Sequence, residues 1–192
     1  MMLGALISTG KDSLFAMYKA SKENKIVCLI TVQSENPDSY MFHTPSVELA
    51  KYQAEALELP LVLVKTKGMK EEELKDLKKA IKEAKEKYNI EGVTTGALFS
   101  QYQKQRIEKI CAELGIKALS PLWHIDQYEE MKELLDAGFE FIFTKIAAEG
   151  LDKSFLGISI GETELEKLRQ LNEKIRFNIA GEGGEFESLV LD

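Results

Sequence analysis

Short apolar runs at 3–7, 26–32, 61–64, 92–95, 117–119 and 139–144 are separated by stretches whose apolar residues recur at helical spacing. Strand followed by amphipathic helix, repeated, predicts a parallel sheet wrapped by helices, because parallel neighbours need a long crossover and the crossover must bury one face. Val47, Ala50, Ala54 and Leu57 share one helical face behind the N-cap candidate Ser46. Leu74, Leu77, Ile81, Ala84 and Tyr88 share another, in a Lys/Glu-rich helix whose charges are its solvated side. Ile107, Ile110, Cys111 and Leu114 form a third face, which Gly115 ends. After Pro121 a new unit begins: Asp126 with Glu129 has the pattern of a capping box, Met131, Leu134 and Leu135 face inward, and Gly138 stops the helix. A stripe of Leu165, Leu168, Leu171 and Ile175 then leads to a final strand around 189–191. The expected architecture is α/β, a parallel-sheet domain over 1–122 and a smaller C-terminal α/β domain over 123–192.

In such sheets a ligand sits beyond the carboxyl ends of the strands, so the loops at 8–13, 33–45 and 96–103 matter most. The first reads Ser8-Thr9-Gly10-Lys11-Asp12-Ser13 between a strand and a helix. Unpaired N–H groups at a helix N-terminus favour an anion, and phosphate is the natural candidate. Ser8 and Ser13 can donate to phosphate oxygens, Gly10 admits a close backbone approach, and Lys11 supplies charge. Asp12 makes sense beside phosphates where it holds Mg²⁺ or orders the loop. The spacing excludes a Walker A loop, since Asp12 stands where that motif has Ser or Thr. An ordinary turn with a Ser or Asp N-cap is the plainer reading.

Three other segments carry chemistry. Asp38-Ser39-Tyr40-Met41-Phe42-His43-Thr44 packs rings and a thioether into a loop, as a lid or pocket wall does, or as a loop anchored on the core does. Gly96 opens a segment in which Ser100, Tyr102, Gln103 and Arg106 can converge on a nucleotide, although Arg106 is equally suited to capping surface carboxylates. Gly181-Glu182-Gly183-Gly184-Glu185-Phe186-Glu187-Ser188 holds carboxylates close together around a tight turn, which costs stability unless a cation or donor lies among them. A Gly-Gly turn with solvated glutamates is the alternative.

With a net charge of -7 the chain lacks a nucleic-acid-coating surface, and direct nucleic-acid binding is not expected. Cys28 and Cys111 read as buried small hydrophobes with no metal spacing. No stretch approaches a membrane span, and the expected compartment is cytoplasmic. A homo-oligomer is compatible with this composition.

The order S-x-G-K-D-S after a first strand resembles the pyrophosphate loop, usually S-G-G-x-D-S, of the N-type ATP pyrophosphatases. That resemblance implies a Rossmann-like PP-loop domain that cleaves ATP between its α and β phosphates. Thr9 stands where that pattern has the glycine directly after its first serine, and a β-branched residue is strained there if the position takes a positive φ. Ser8 to Ser13, DSYMFHT, the segment from Gly96 to Glu108, Leu122-Trp123, KIAAEGLD from Lys145 to Asp152, Leu156-Gly157 and the ending from Gly181 together resemble the diphthine-ammonia ligase family. Members of that family continue past the residue equivalent to Asp192 with further strand sequence.

The resemblance implies ATP-dependent amidation of diphthine on elongation factor 2 through an acyl-adenylate, with Mg²⁺ bound and AMP and pyrophosphate released. It assigns Ser8, Thr9, Gly10, Lys11, Asp12 and Ser13 to the phosphates and Mg²⁺, with Gly96, Ser100, Gln103 and Arg106 on the nucleotide side. Lys11, Asp12 and Glu185 are the expected catalytic residues, with Asp12 the metal ligand. Tyr40, Phe42, His43, Tyr102, Glu182, Gly183, Gly184, Glu185, Phe186 and Glu187 are the expected substrate contacts, the carboxylates facing the trimethylammonio group or incoming ammonium and the rings adding cation-π contact. The chain begins Met1-Met2-Leu3 and offers no N-terminal cysteine for a glutaminase, so free ammonium is the expected nitrogen donor unless a separate subunit supplies it. The competing readings are a tRNA-modifying adenylating enzyme of the same superfamily and a non-catalytic ATP-binding regulator.

Overall fold

A computed structural model describes residues 1–36, 47–69 and 71–192. The chain divides into two compact units, Met1–Trp123 and His124–Asp192.

The first unit is a five-stranded, all-parallel sheet in the order β3-β2-β1-β4-β5, built from β1 (Met2–Leu6), β2 (Lys25–Ser34), β3 (Leu61–Thr66), β4 (Gly92–Thr94) and β5 (Lys117–Leu119). The crossovers carry α1 (Lys11–Ser21), α2 (Ala50–Ala56), α3 (Glu73–Tyr88) and α4 (Gln101–Glu113). The stripes on α3 and α4 do what their spacing predicts: Leu77, Ala80, Ile81 and Ala84 join Ile107, Ile110 and Cys111 over Cys28, Ile30, Val62, Val64 and Val93. Cys28 and Cys111 are free and buried, and burial pushes both thiols up to about 12. The α2 stripe is shorter than expected. Ala50 and Ala54 are buried, whereas Leu57 lies beyond the last helical residue and is exposed. Ser46 lies outside the described residues.

The chain runs outward from β1 to β2 and β3 on one side, then returns to β4 and β5 on the other. The loops after β1 and β4 therefore leave the sheet at its topological switch point, where crossovers diverge and open a crevice.

The second unit pairs β6 (Phe141–Ile146) with β7 (Phe186–Val190) antiparallel and packs α5 (Gln127–Asp136) with α6 (Glu162–Ile175). Asp126 caps α5 by accepting from the N–H groups of Tyr128 and Glu129 at 2.9 and 3.3 Å. Met131 and Leu134 are buried on α5, and Leu165 and Leu168 on α6, while Ile175 at the end of α6 is exposed. β6 starts two residues later than its apolar run, because the N–H groups of Gly138 and Phe139 are committed to the carbonyls of Leu135 and Leu134 at the end of α5. The final strand starts earlier than expected, at Phe186, whose register partner is Ile146.

Candidate active site

The loop from Ser8 to Ser13 is a closed turn held by its own hydroxyls. Ser13 Oγ donates to the Gly10 carbonyl at 3.0 Å and accepts from the Ser8 N–H at 3.1 Å, and Ser8 Oγ lies 3.3 Å from it. Gly10 is the N-cap of α1 and supplies no capping side chain, so the plain turn with a Ser or Asp N-cap is not what forms. Thr9 adopts φ +70°, the left-handed conformation for which a β-branched residue is least suited. It is fully buried, and its Oγ1 has no hydrogen-bond partner among the described residues. Its carbonyl accepts from Nε2 of Gln53 on α2 at 3.2 Å.

Gly96, expected near the nucleotide, buttresses the same loop. A Cβ there would stand 2.7 Å from Asp12 C and from Ser13 N, so only glycine lets the chain leaving β4 lie against the first turn of α1. This contact joins the two loops of the switch point. Lys11 is 1% exposed and its Nζ pairs with the Asp12 carboxylate, which is 32% exposed. Charge of both signs thus stands in the first turn of α1, where the helix dipole favours an anion.

Three nucleotide-side candidates hold other partners. Ser100 is the N-cap of α4 and accepts from the Gln103 N–H at 3.3 Å. Tyr102 and Arg106 form a stacked pair, with the guanidinium carbon 3.3 Å from the ring centroid, and both reach Glu71: Arg106 Nη2 at 2.6 Å and Tyr102 Oη at 3.1 Å. Glu71 raises the Arg106 guanidinium above its ordinary range by hydrogen bonding, and burial, with the phenol's own bond to Glu71, raises the Tyr102 hydroxyl. Arg106 therefore caps a carboxylate, the simpler of its two sequence readings.

In the second unit the Gly-Gly turn folds back on itself. The Gly183 N–H donates to Glu185 Oε2 at 2.8 Å, and a Cβ on Gly183 would meet the other carboxylate oxygen at 2.7 Å. Gly184 takes φ +85°, and its N–H closes on the Gly181 carbonyl at 3.1 Å. Asn178, which no motif singles out, holds the approach by accepting from Ala180 and Glu182 N–H at 3.1 and 3.4 Å. Glu182, Glu185 and Glu187 are all partly buried. Phe186 corrects the sequence reading. It is 5% exposed and stacks on Phe143 with centroids 3.8 Å apart, so its ring is core and is not placed for cation-π contact with a substrate. Tyr40, Phe42 and His43 lie outside the described residues.

Among the described residues no group of three or more His, Cys, Asp or Glu side chains forms a metal cluster, and no helix is long and apolar enough to cross a membrane.

Comparison with known proteins matches two family models in chain order: the diphthamide synthase N-terminal domain over residues 1–118 and the diphthamide synthase C-terminal domain over residues 126–192. The chain is 37% identical to the diphthine–ammonia ligase of Rattus norvegicus, covering 100% of this chain and 79% of that one. It is 37% identical to the protein of the same name from Danio rerio, covering 100% and 82%. Among solved structures, a predicted subunit of tRNA methyltransferase from Methanocaldococcus jannaschii aligns with a TM-score of 0.44 at 18% identity, over 93% of this chain and 90% of that one.

Proposed function

The chain belongs to the diphthamide synthase family, whose curated members are named as ligases, and from that premise we propose that it converts diphthine on elongation factor 2 to diphthamide with ATP and ammonium. The observation that carries the proposal is the buttressed loop at the switch point. The chain at Gly96 lies so close to the peptide of Asp12 and Ser13 that a Cβ would not fit, which supports the turn where the N–H groups opening α1 suit an anion.

The chemistry divides into two transfers. A diphthine carboxylate oxygen attacks the α-phosphorus of ATP, the bond to the bridging oxygen breaks, and pyrophosphate leaves. Ammonia then attacks the acyl carbon, the bond to AMP breaks, and an amide remains after loss of a proton. The N–H groups opening α1 bind the phosphates, joined by the Ser8 and Ser13 hydroxyls once these turn from each other and from the Gly10 carbonyl. Lys11, freed from Asp12, meets the charge that grows on the leaving pyrophosphate, a type of contact worth on the order of 10²-fold or more in rate. Asp12 fits a magnesium ion carried on the phosphates, since such an ion takes only one or two carboxylates from protein and Asp12 is partly exposed beside the loop. That ion, when bound, adds further neutralisation of phosphate charge. Glu182, Glu185 and Glu187 present negative charge to the trimethylammonio group or to ammonium.

The test is AMP and pyrophosphate formation with magnesium, ATP, ammonium and diphthine-bearing elongation factor 2, each omitted in turn. The expected result is AMP only when all are present. AMP formation indifferent to the factor would sink the proposal.

A further inference from the structure

We propose that Gln53 is a positioning residue for the phosphate loop, holding the Thr9–Gly10 peptide so that the Gly10 N–H is aimed at the bound phosphate. This rests on the ATP reading of that loop. Thr9 sits in the left-handed region at φ +70°, with a β-branched side chain that opposes this conformation. It is fully buried, and its hydroxyl finds no partner among the described residues. Neither feature favours the turn, so the turn depends on what surrounds it. Ser13 ties the flanking residues Ser8 and Gly10 together but does not touch Thr9's carbonyl. Gly96 supports the turn from the side of Asp12 and Ser13. The Thr9 carbonyl is held by Gln53 Nε2 at 3.2 Å, from a helix 44 residues away in sequence.

The consequence follows from peptide planarity. In a trans peptide the C=O of one residue and the N–H of the next point in opposite directions. Fixing the Thr9 carbonyl toward α2 therefore fixes the Gly10 N–H away from α2. Gln53 contributes no atom to the ligand; it sets the direction of a backbone donor. In most PP loops a glycine at this position would hold the turn without steric cost, whereas Thr9 makes this chain depend on the clamp.

The test uses the full chain with Gln53→Met, which keeps volume and removes the donor, and Gln53→Ala, each alone and combined with Thr9→Gly. Two readouts are taken: amide hydrogen exchange of the peptide spanning residues 8–13, and affinity for ATP with magnesium by calorimetry. The expected result is faster exchange confined to that peptide and ATP affinity about tenfold weaker, the scale of one lost hydrogen bond to a functional group. On the Thr9→Gly background the further loss from either Gln53 change should be clearly smaller, a non-additivity that a general loss of packing would not produce. If Gln53→Ala unfolds early, Gln53→Met carries the comparison. Exchange or affinity unchanged by both substitutions, with ATP still bound by the parent, overturns the clamp and leaves the ATP reading standing. Faster loop exchange in the Gln53 variants, with no ATP bound by the parent, keeps the clamp and removes that reading.

Discussion

The two Gly-containing motifs stabilise their turns differently. The loop at 8–13 adds to its own serine bonds two supports from outside itself, Gly96 from the chain after β4 and Gln53 from α2, around a residue in an unfavourable conformation. The Gly183-Gly184 turn is held mainly from within, by Glu185 closing on the Gly183 N–H and by Phe186 anchoring the next residue in the core. A motif's polar residues can thus hold its own turn, and its aromatic residue can be an anchor. The loop should respond to distant substitutions in its own unit, and the turn chiefly to its own residues.

That contrast can be broken most severely at Phe186. Phe186→Ala removes a ring stacked on Phe143 and close to Phe177, and should destabilise the second unit by about 3–5 kcal/mol in a denaturant titration. Retained stability would return Phe186 to the substrate contacts. Lys11→Ala should slow AMP formation by ~100-fold or more while circular dichroism stays unchanged. Gly96→Ala forces a Cβ against backbone at 2.7 Å and should shift the start of α1, costing about 1–3 kcal/mol of stability together with ATP affinity, both visible in one thermal titration with ATP.

A pH series sharpens the same comparison, because both buried thiols are in the first unit. Their pKa values are raised from 9.0 to about 12, so the folded chain keeps protons that the unfolded chain loses. The two thiols should leave stability unchanged below about pH 9 and lower it as pH rises from 9 toward 12, by roughly 1 kcal/mol per thiol at pH 10. Cys28→Ala with Cys111→Ala should flatten that slope in melts across the range. The smallest effect belongs to Glu71→Gln, an exposed carboxylate beside Arg106 and Tyr102, which should leave the melting temperature within experimental scatter.

How much of this was legible depends on the range of the interaction. Strand–helix alternation is a local signal, and the sheet, the α3 and α4 stripes and the turn between β1 and α1 follow from it. Thr9's strain was also legible, from one departure in a short motif. Gln53 was not, because a side chain meeting a carbonyl 44 residues away leaves no pattern in either segment. Asn178 lies just before the motif and is an ordinary turn residue by type. Phe186 could have been found: Phe186, Ser188 and Val190 alternate inward along β7, a period of two that the motif resemblance masked. Arg106 shows the reverse, since its carboxylate partner Glu71 lies 35 residues away and neither reading could be chosen locally.

The most direct measurement is the mass of the diphthine side chain on elongation factor 2 after incubation with magnesium, ATP, ammonium and either the parent chain or Glu185→Gln. The variant keeps an oxygen to accept from Gly183 but removes the charge, so the turn should persist while the proposed partner of the cation is lost. The expected result is acid converted to amide by the parent, and conversion strongly reduced in Glu185→Gln at unchanged ATP affinity. A side chain left as the acid by the parent chain, or equal conversion by the variant, would contradict the division of labour between the phosphate loop and the carboxylate turn.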